Sequence, residues 1–134
     1  MKILIADDDA SARYALNKPL VGTNRSIHEA TDGKQTLEAI YEVLPDLVFL
    51  DLHMPITDGK AVLLGLQERR PHYAPEIIVV TANDTVSDAV ECIRLGATDF
   101  VTKPFEIERM RSIALRAQNR VALQERLNEI QIQL

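Results

Sequence analysis

Leu47-Val48-Phe49-Leu50-Asp51 is a run of four apolar residues ended by a carboxylate, the most strand-like stretch in the chain. Two other runs share its form: Ile3-Leu4-Ile5-Ala6 leads into Asp7-Asp8-Asp9, and Ile77-Ile78-Val79-Val80 leads into Thr81. Strands buried on both faces read as continuous apolar runs, and they belong to parallel sheets covered by helices. In an open sheet of that kind the site lies beyond the carboxyl ends of the strands. Several carboxylates, the Thr81 hydroxyl and Lys103 are therefore expected to converge on one edge.

Amphipathic stretches alternate with the apolar runs, and the alternation reads as five βα units of a parallel sheet with helices on both faces. A first strand over Lys2 to Ala6 precedes a helix from Ala10 to Leu20, with Tyr14, Ala15 and Leu16 near its buried stripe, and Val21-Gly22-Thr23-Asn24 breaks the pattern. The second strand, Ser26 to Ala30, is half polar and suits a sheet edge. Thr31-Asp32-Gly33 turns the chain into a helix from Lys34 to Val43, with Leu37, Ile40, Tyr41 and Leu44 at helical spacing and Pro45 closing it. After the third strand, His53-Met54-Pro55-Ile56-Thr57-Asp58-Gly59 forms a loop before a helix from Lys60 to Arg70, whose exit Pro71 and Pro75 bracket. The fourth strand, Glu76 to Val80, precedes a helix from Thr85 to Leu95 that carries Val86, Ala89, Val90 and Ile93 on one face and ends at Gly96. Asp99 to Thr102 is a short fifth strand.

From Glu106 to Leu134 the chain has neither Gly nor Pro, so one helix of up to about 43 Å can form at about 1.5 Å per residue. Ile107, Met110, Ala114, Ala117 and Val121 keep a spacing that can dock on the sheet, whereas Leu123, Leu127, Ile130 and Leu134 continue it on a shifted face. The phase change divides the chain into a domain over 1–122 and a helical linker over 123–134. That linker either pairs as a coiled coil or is a frayed extension.

Composition bounds the function. The 134 residues suit one domain with one core, and 46% apolar with 26% charged residues is ordinary for a soluble globular protein. No apolar stretch approaches the roughly 20 residues that cross a bilayer, and the first residues pass straight into acids instead of forming a secretory leader. A cytoplasmic, non-membrane setting is expected. Cys92 is the single cysteine, which excludes an internal disulfide and a cysteine-rich metal site, and it reads as a half-buried structural thiol within a helix. A net charge of −5 argues against direct nucleic-acid binding by this segment.

Taken in order, Ile5-Ala6-Asp7-Asp8-Asp9, Asp51 followed by Met54-Pro55 and Asp58-Gly59, Thr81-Ala82, and Lys103-Pro104-Phe105 resemble the receiver domain of two-component response regulators. The resemblance covers about 1–122. It implies a flavodoxin-like, doubly wound five-stranded sheet of order 2-1-3-4-5, extended here by the C-terminal helix. It also implies a phosphorylation switch rather than an enzyme, with phosphoryl transfer and autodephosphorylation at most self-catalysed. Asp51 maps to the phosphoacceptor, and a carboxylate is chemically able to attack phosphorus and form an acyl phosphate. Bringing a phosphoryl group against an acidic site calls for a divalent cation, with Mg2+ expected and Mn2+ as the alternative.

The same resemblance assigns Asp8 and Asp51 as direct ligands, Asp7 as a ligand largely through water, and the His53 main-chain carbonyl as a further one. Asp9 then becomes a loop or N-cap residue, although the acidic triplet admits another register. Thr81 and Lys103 match the hydroxyl and the ammonium that read the new phosphoryl oxygens. Pro104 is implied to follow a cis bond, an isomer the sequence leaves open. Phe100 matches the switch aromatic, with a permanently buried core ring as the other reading. The His53 imidazole, His28 and His72 are left out of the site, and Asp32, Asp58, Asp84 and Asp99 fit turn or cap roles while Asp46 sits at the opposite sheet edge.

Implied partners are a histidine kinase or phosphotransfer protein, an output domain on the same chain or a partner protein, and a second copy. Dimerisation is expected through the C-terminal helix or through the face of the fourth helix, fifth strand and fifth helix. An aspartate-nucleophile phosphatase of the haloacid-dehalogenase type is disfavoured because the acidic pair precedes the nucleophile. A flavin-binding domain is disfavoured because Asp7-Asp8-Asp9 would repel its phosphate. A structural module that never meets phosphate is the third alternative.

Overall fold

The structure, a computed structural model, describes residues 1–68, 74–82 and 85–133. Five parallel strands, β1 (Lys2–Ala6), β2 (Ser26–Ala30), β3 (Leu47–Leu50), β4 (Glu76–Thr81) and β5 (Asp99–Thr102), alternate with α1 (Ala10–Leu20), α2 (Gly33–Val43), α3 (Gly59–Glu68), α4 (Val86–Arg94) and α5 (Ile107–Gln133). The sheet order is β2-β1-β3-β4-β5, as the resemblance implied. Half-polar β2 lies at one edge and pairs with β1 in register Lys2 with Ser26 through Ala6 with Ala30. The expected ends of the third helix at Arg70, with Pro71, His72 and Asp84, lie outside the described residues, as does Leu134.

The uninterrupted apolar runs are explained by the two-residue period of a strand, which sends successive side chains to opposite faces. Ile3, Ile5, Leu47, Phe49, Ile78 and Val80 point to the layer shared with Leu16 and Leu20 of α1 and Met110, Ile113, Ala114 and Ala117 of α5. Leu4, Ala6, Val48, Leu50, Ile77 and Val79 point the other way, to Ile40 of α2, Val62, Leu63 and Leu66 of α3, and Cys92 of α4. The inner positions of the central strands are thus apolar in unbroken runs because both faces are covered, while Lys2 and Glu76 sit at the strand starts and Thr81 at the end of β4. Among the described residues no helix is long and apolar enough to cross a membrane.

Several helical faces differ from the sequence expectation. Three consecutive residues cannot share one face at 3.6 residues per turn. In α1 only Leu16 of the Tyr14-Ala15-Leu16 trio is buried, together with Pro19 and Leu20, while Tyr14 is 65% exposed and Ala15 is exposed. In α2, Ile40 is buried but Tyr41 and Leu44 reach solvent. The stripe on α4 is an outer one: Val86, Val90 and Ile93 are exposed, and the inward residue is Cys92, buried completely rather than halfway. Ile107 is exposed too, and Ile113 takes an inward place on α5 that the spacing had not assigned. Leu123, Leu127 and Ile130 stand exposed on the distal turns of α5.

Caps fix where the helices begin. Asp9 accepts from the Ser11 amide, Asp32 from the Gln35 amide, Asp58 from the Ala61 amide, and Thr85 from the Asp88 amide. Asp99 opens β5 as expected, where its carboxylate accepts from the Phe100 amide and pairs with Arg109 at 3.3 Å. Asp46 takes the Lys2 amide at the amino-terminal edge, opposite the site.

Gly59 lets the start of α3 lie directly against the end of β3. Its amide donates to the Leu52 carbonyl at 3.0 Å, and a Cβ there would fall 2.5 Å from the Asp51 carbonyl oxygen and 2.7 Å from the Leu52 Cα. Backbone on both sides cannot yield, so Gly59→Ala is expected to destabilise by about 1–3 kcal/mol, read from the urea midpoint. Gly65 is the internal contrast: its Cβ would meet Leu37 methyls at 3.6 and 3.8 Å, ordinary contact, within the same helix. Gly65→Ala is expected to raise stability by up to about 1 kcal/mol in the same assay.

Candidate functional site

The site grows from the carboxyl ends of β1, β3, β4 and β5. Asp7 follows β1 and stays tied to the sheet, its amide donating to the Ala30 carbonyl at 3.0 Å. Asp51 follows β3, and its amide donates to the Ala6 carbonyl at 2.9 Å, so the two strand ends advance side by side. Asp8 and Asp9 form the turn into α1. Asp9 faces its own helix as the N-cap, whereas the carboxylate oxygens of Asp7, Asp8 and Asp51 lie within 4.8 Å of one another. The geometry therefore separates the triplet into a converging pair and a cap.

Lys103 comes to this cluster from β5 on the opposite flank. Its amide donates to the Thr81 carbonyl at 2.9 Å, and the Lys103-Pro104 bond is cis. Its Nζ lies 2.6 Å from Asp7 Oδ2 and 3.3 Å from Asp51 Oδ2. Asp7 and Asp51 are both buried and Asp8 is exposed. One ammonium thus stands against three carboxylates, two of them withdrawn from water.

The pair Asp7 and Lys103 is electrostatically unequal. Burial lifts the Asp7 carboxyl above the usual carboxylate range, and the like charge of Asp51 pushes the same way, against the hydrogen bonds from Lys103 and the Asp9 amide. For Lys103, burial is the largest single influence and pulls its ammonium down. The hydrogen bond to Asp7 and the charges of Asp51 and Asp7 together outweigh it, so it ends above the ordinary lysine value. The ion pair holds the lysine charged without fully compensating the desolvation of the acid.

Thr81 ends β4 fully buried and pairs with Thr102 across the ladder. Phe100 lies half-buried on β5 and packs against the layer that contains Val79 and Cys92. His53 is exposed, and its amide donates to Asp51 Oδ1 at 3.2 Å. His28 is in the middle of edge strand β2, level with Leu4 and short of the strand ends that carry the cluster. Cys92 takes no part, its thiol pushed up by burial in the α4 core layer.

Two residues that the sequence did not single out shape this edge. Arg13 donates from Nη1 to the Asp7 carbonyl at 2.8 Å. Lys60, at the start of α3, bridges to α4 through Asp88 at 2.6 Å and Glu91 at 2.9 Å. Those contacts raise the Lys60 ammonium and lower the Asp88 carboxyl, each chiefly through their shared hydrogen bond. Neither contact follows a short motif, because the partners meet only once the helices are laid on the sheet.

Comparisons with known proteins agree with this geometry. The family described as "Response regulator receiver domain" matches residues 3–115. The DNA-binding transcriptional regulator NtrC of Escherichia coli (strain K12) is 30% identical over 130 residues, which cover 97% of this chain and 27% of that protein. Response regulator MprA of Mycolicibacterium vanbaalenii is 37% identical over 120 residues, covering 87% of this chain and 51% of that one. The chain therefore spans about a quarter to about a half of the length of these relatives. The crystal structure of the receiver domain of NtrX from Brucella abortus superposes with a TM-score of 0.75 at 32% identity, covering 86% of this chain and 96% of that one. Sheet order, family match and relatives converge on one assignment: the chain belongs to the receiver domains of two-component response regulators, regulatory domains that signal through phosphorylation.

Proposed function

We propose that Asp51 accepts a phosphoryl group from a histidine kinase or phosphotransfer protein and that this modification switches the surface of the domain. The observation that carries the reading is the convergence of Asp7, Asp8 and Asp51 within 4.8 Å, with the Lys103 ammonium among them. An Asp51 oxygen attacks the phosphorus of a partner phosphohistidine. The new O–P bond forms as the N–P bond breaks, and the leaving imidazole nitrogen gains a proton from water.

Three hard oxygen donors at this spacing fit Mg2+, and Mn2+ satisfies the same set. Asp8, Asp51 and the His53 carbonyl would hold the ion directly, and Asp7 largely through water. When bound it neutralises charge on the incoming phosphoryl oxygens. Lys103 already spans Asp7 and Asp51 and gains a phosphoryl oxygen as a new partner. The Thr81 hydroxyl binds another oxygen, and its movement inward frees space for Phe100.

The domain occupies 1–122 and the linker 123–134 in this reading, within a cytoplasmic signalling protein. The response reaches an output module through α5 and through the face of α4, β5 and α5. The exposed Val86, Val90 and Ile93 on α4, and Leu123, Leu127 and Ile130 on α5, support pairing with a second copy across one of these surfaces.

Incubation with acetyl phosphate and Mg2+, followed by intact-mass measurement, is expected to show one phosphoryl group on the wild type and none on Asp51→Ala. Thr81→Ala and Lys103→Ala are expected to slow uptake by about 10²–10³-fold, the scale for removing one donor to a developing anion. Uptake by Asp51→Ala would overturn the assignment.

A carboxyl raised in the folded state favours folding in its protonated form. That contribution is complete below the unfolded carboxyl value and is lost as pH rises through the folded one, so ionised Asp7 is a net cost at neutral pH. Asp7→Asn is accordingly expected to raise the melting temperature at pH 7 in chelator. It should also weaken the stabilisation by Mg2+, which for an intact site reaches about 1.4 kcal/mol at an ion concentration tenfold above Kd. Static light scattering with and without beryllofluoride, a phosphoryl mimic, is expected to show a rise in mass toward a dimer, and an unchanged monomer would remove the pairing surfaces.

A further inference from the structure

Arg13 leaves the first turns of α1 and ends in two contacts made at once. Its Nη1 donates to the Asp7 carbonyl at 2.8 Å, and its Nε pairs with Glu29 Oε1 at 3.3 Å. The side chain is 16% exposed, so the guanidinium is committed to these partners rather than to water. The Asp7 carbonyl belongs to the peptide that joins Asp7 to Asp8. On either side of that peptide the chain is already fixed: the Asp7 amide donates to the Ala30 carbonyl at 3.0 Å, and the Asp9 amide donates to Asp7 Oδ1 at 2.9 Å. Arg13 fixes the peptide plane between them. That plane sets the direction in which Asp8 leaves the main chain.

The planar fork of an arginine holds its donors at fixed angles to one another, whereas a lysine is a point charge on a flexible stem. Glu29 stands one residue before Ala30 on β2, so the strand that receives the Asp7 amide also steadies the guanidinium. An exposed carboxylate on an unrestrained loop must be ordered as it binds an ion, and one that is already aimed need not be.

We propose that Arg13 is a positioning residue for the cation site, holding the Asp7–Asp8 peptide so that the Asp8 carboxylate is aimed at Asp51, with Glu29 steadying the guanidinium. The inference rests on reading the acidic cluster as a cation site. Arg13 itself touches no reacting atom, and its influence runs through the Asp7–Asp8 main chain.

The test measures Mg2+ dissociation constants by thermal-shift titration of the whole chain for the wild type, Arg13→Met, Arg13→Lys, Glu29→Gln and Asp8→Asn. Arg13→Met is expected to weaken Mg2+ binding about tenfold, the low end for partners that orient metal ligands. Arg13→Lys recovers part of the loss, Glu29→Gln causes a smaller one, and Asp8→Asn removes most binding. Phosphoryl uptake from acetyl phosphate by Arg13→Met returns toward the wild-type rate at saturating Mg2+, a split that general loss of stability does not produce. Wild-type Mg2+ affinity in Arg13→Met, or in Glu29→Gln if the former fails to fold, overturns the proposal even where the melting temperature in chelator falls. A wild type that shows no Mg2+ response removes the cation-site reading and this inference with it, a result distinct from a responsive wild type matched by Arg13→Met.

Discussion

Confinement of like charge at the end of a parallel sheet is the constraint on which the rest of this molecule depends. Carboxylate oxygens of Asp7, Asp8 and Asp51 share a space 4.8 Å across. Two unit charges at such a separation repel by roughly 3 kcal/mol at an effective dielectric near 20, less where Asp8 meets water. Lys103 relieves part of that repulsion through contacts at 2.6 and 3.3 Å, but one positive charge cannot balance three negative ones. The edge is therefore poised to gain from a cation, and under the proposed function its ammonium takes a phosphoryl oxygen as a new partner.

Holding such a cluster together requires a scaffold that does not relax away from it. Covering the sheet on both faces supplies that rigidity, with Phe49, Ile78 and Val80 buried on one side and Leu50, Val79 and Cys92 on the other. Adjacent parallel strands bring Asp7 and Asp51 forward together, and the Asp51 amide bonded to Ala6 locks their relative height. Gly59 then permits α3 to begin against the Asp51 carbonyl. Away from the edge, α4 is held more lightly, since its inward anchor is Cys92 and much of its apolar surface faces solvent. The Lys60 bridges to Asp88 and Glu91 tie it to α3 through groups that water still reaches, Glu91 most of all, so salt and water partly screen them. Such a division between a fixed acidic edge and a lightly tethered helix suits a domain that changes its surface when its charge changes.

Much of this was legible in the sequence for identifiable reasons. Runs such as Leu47 to Leu50 announced strands covered on both faces, half-polar Ser26 to Ala30 announced an edge, and the ordered short motifs placed Asp7, Asp8, Asp51, Thr81 and Lys103 on one end of the sheet. The helix faces were less legible. Tyr14 and Ile107 are apolar yet exposed, because spacing names a stripe without saying whether a neighbour covers it. Asp99 opens β5 as its sequence suggests, but only the assembled fold brings Arg109 to its charge. Arg13 and Lys60 escaped notice because their partners are a main-chain carbonyl or side chains on other elements, and only the assembled fold puts those within reach.

The central claim is that the acidic edge is a cation site formed by three separated carboxylates. Addition of substoichiometric Mn2+ to isotope-labelled protein tests it directly, since the paramagnetic ion broadens the amide signals nearest to it. Selective broadening at Asp7, Asp8, Asp51 and His53, reversed by excess Mg2+, is the expected result. Broadening confined to other acidic surfaces such as Asp88 and Glu91, or none at all, would contradict it.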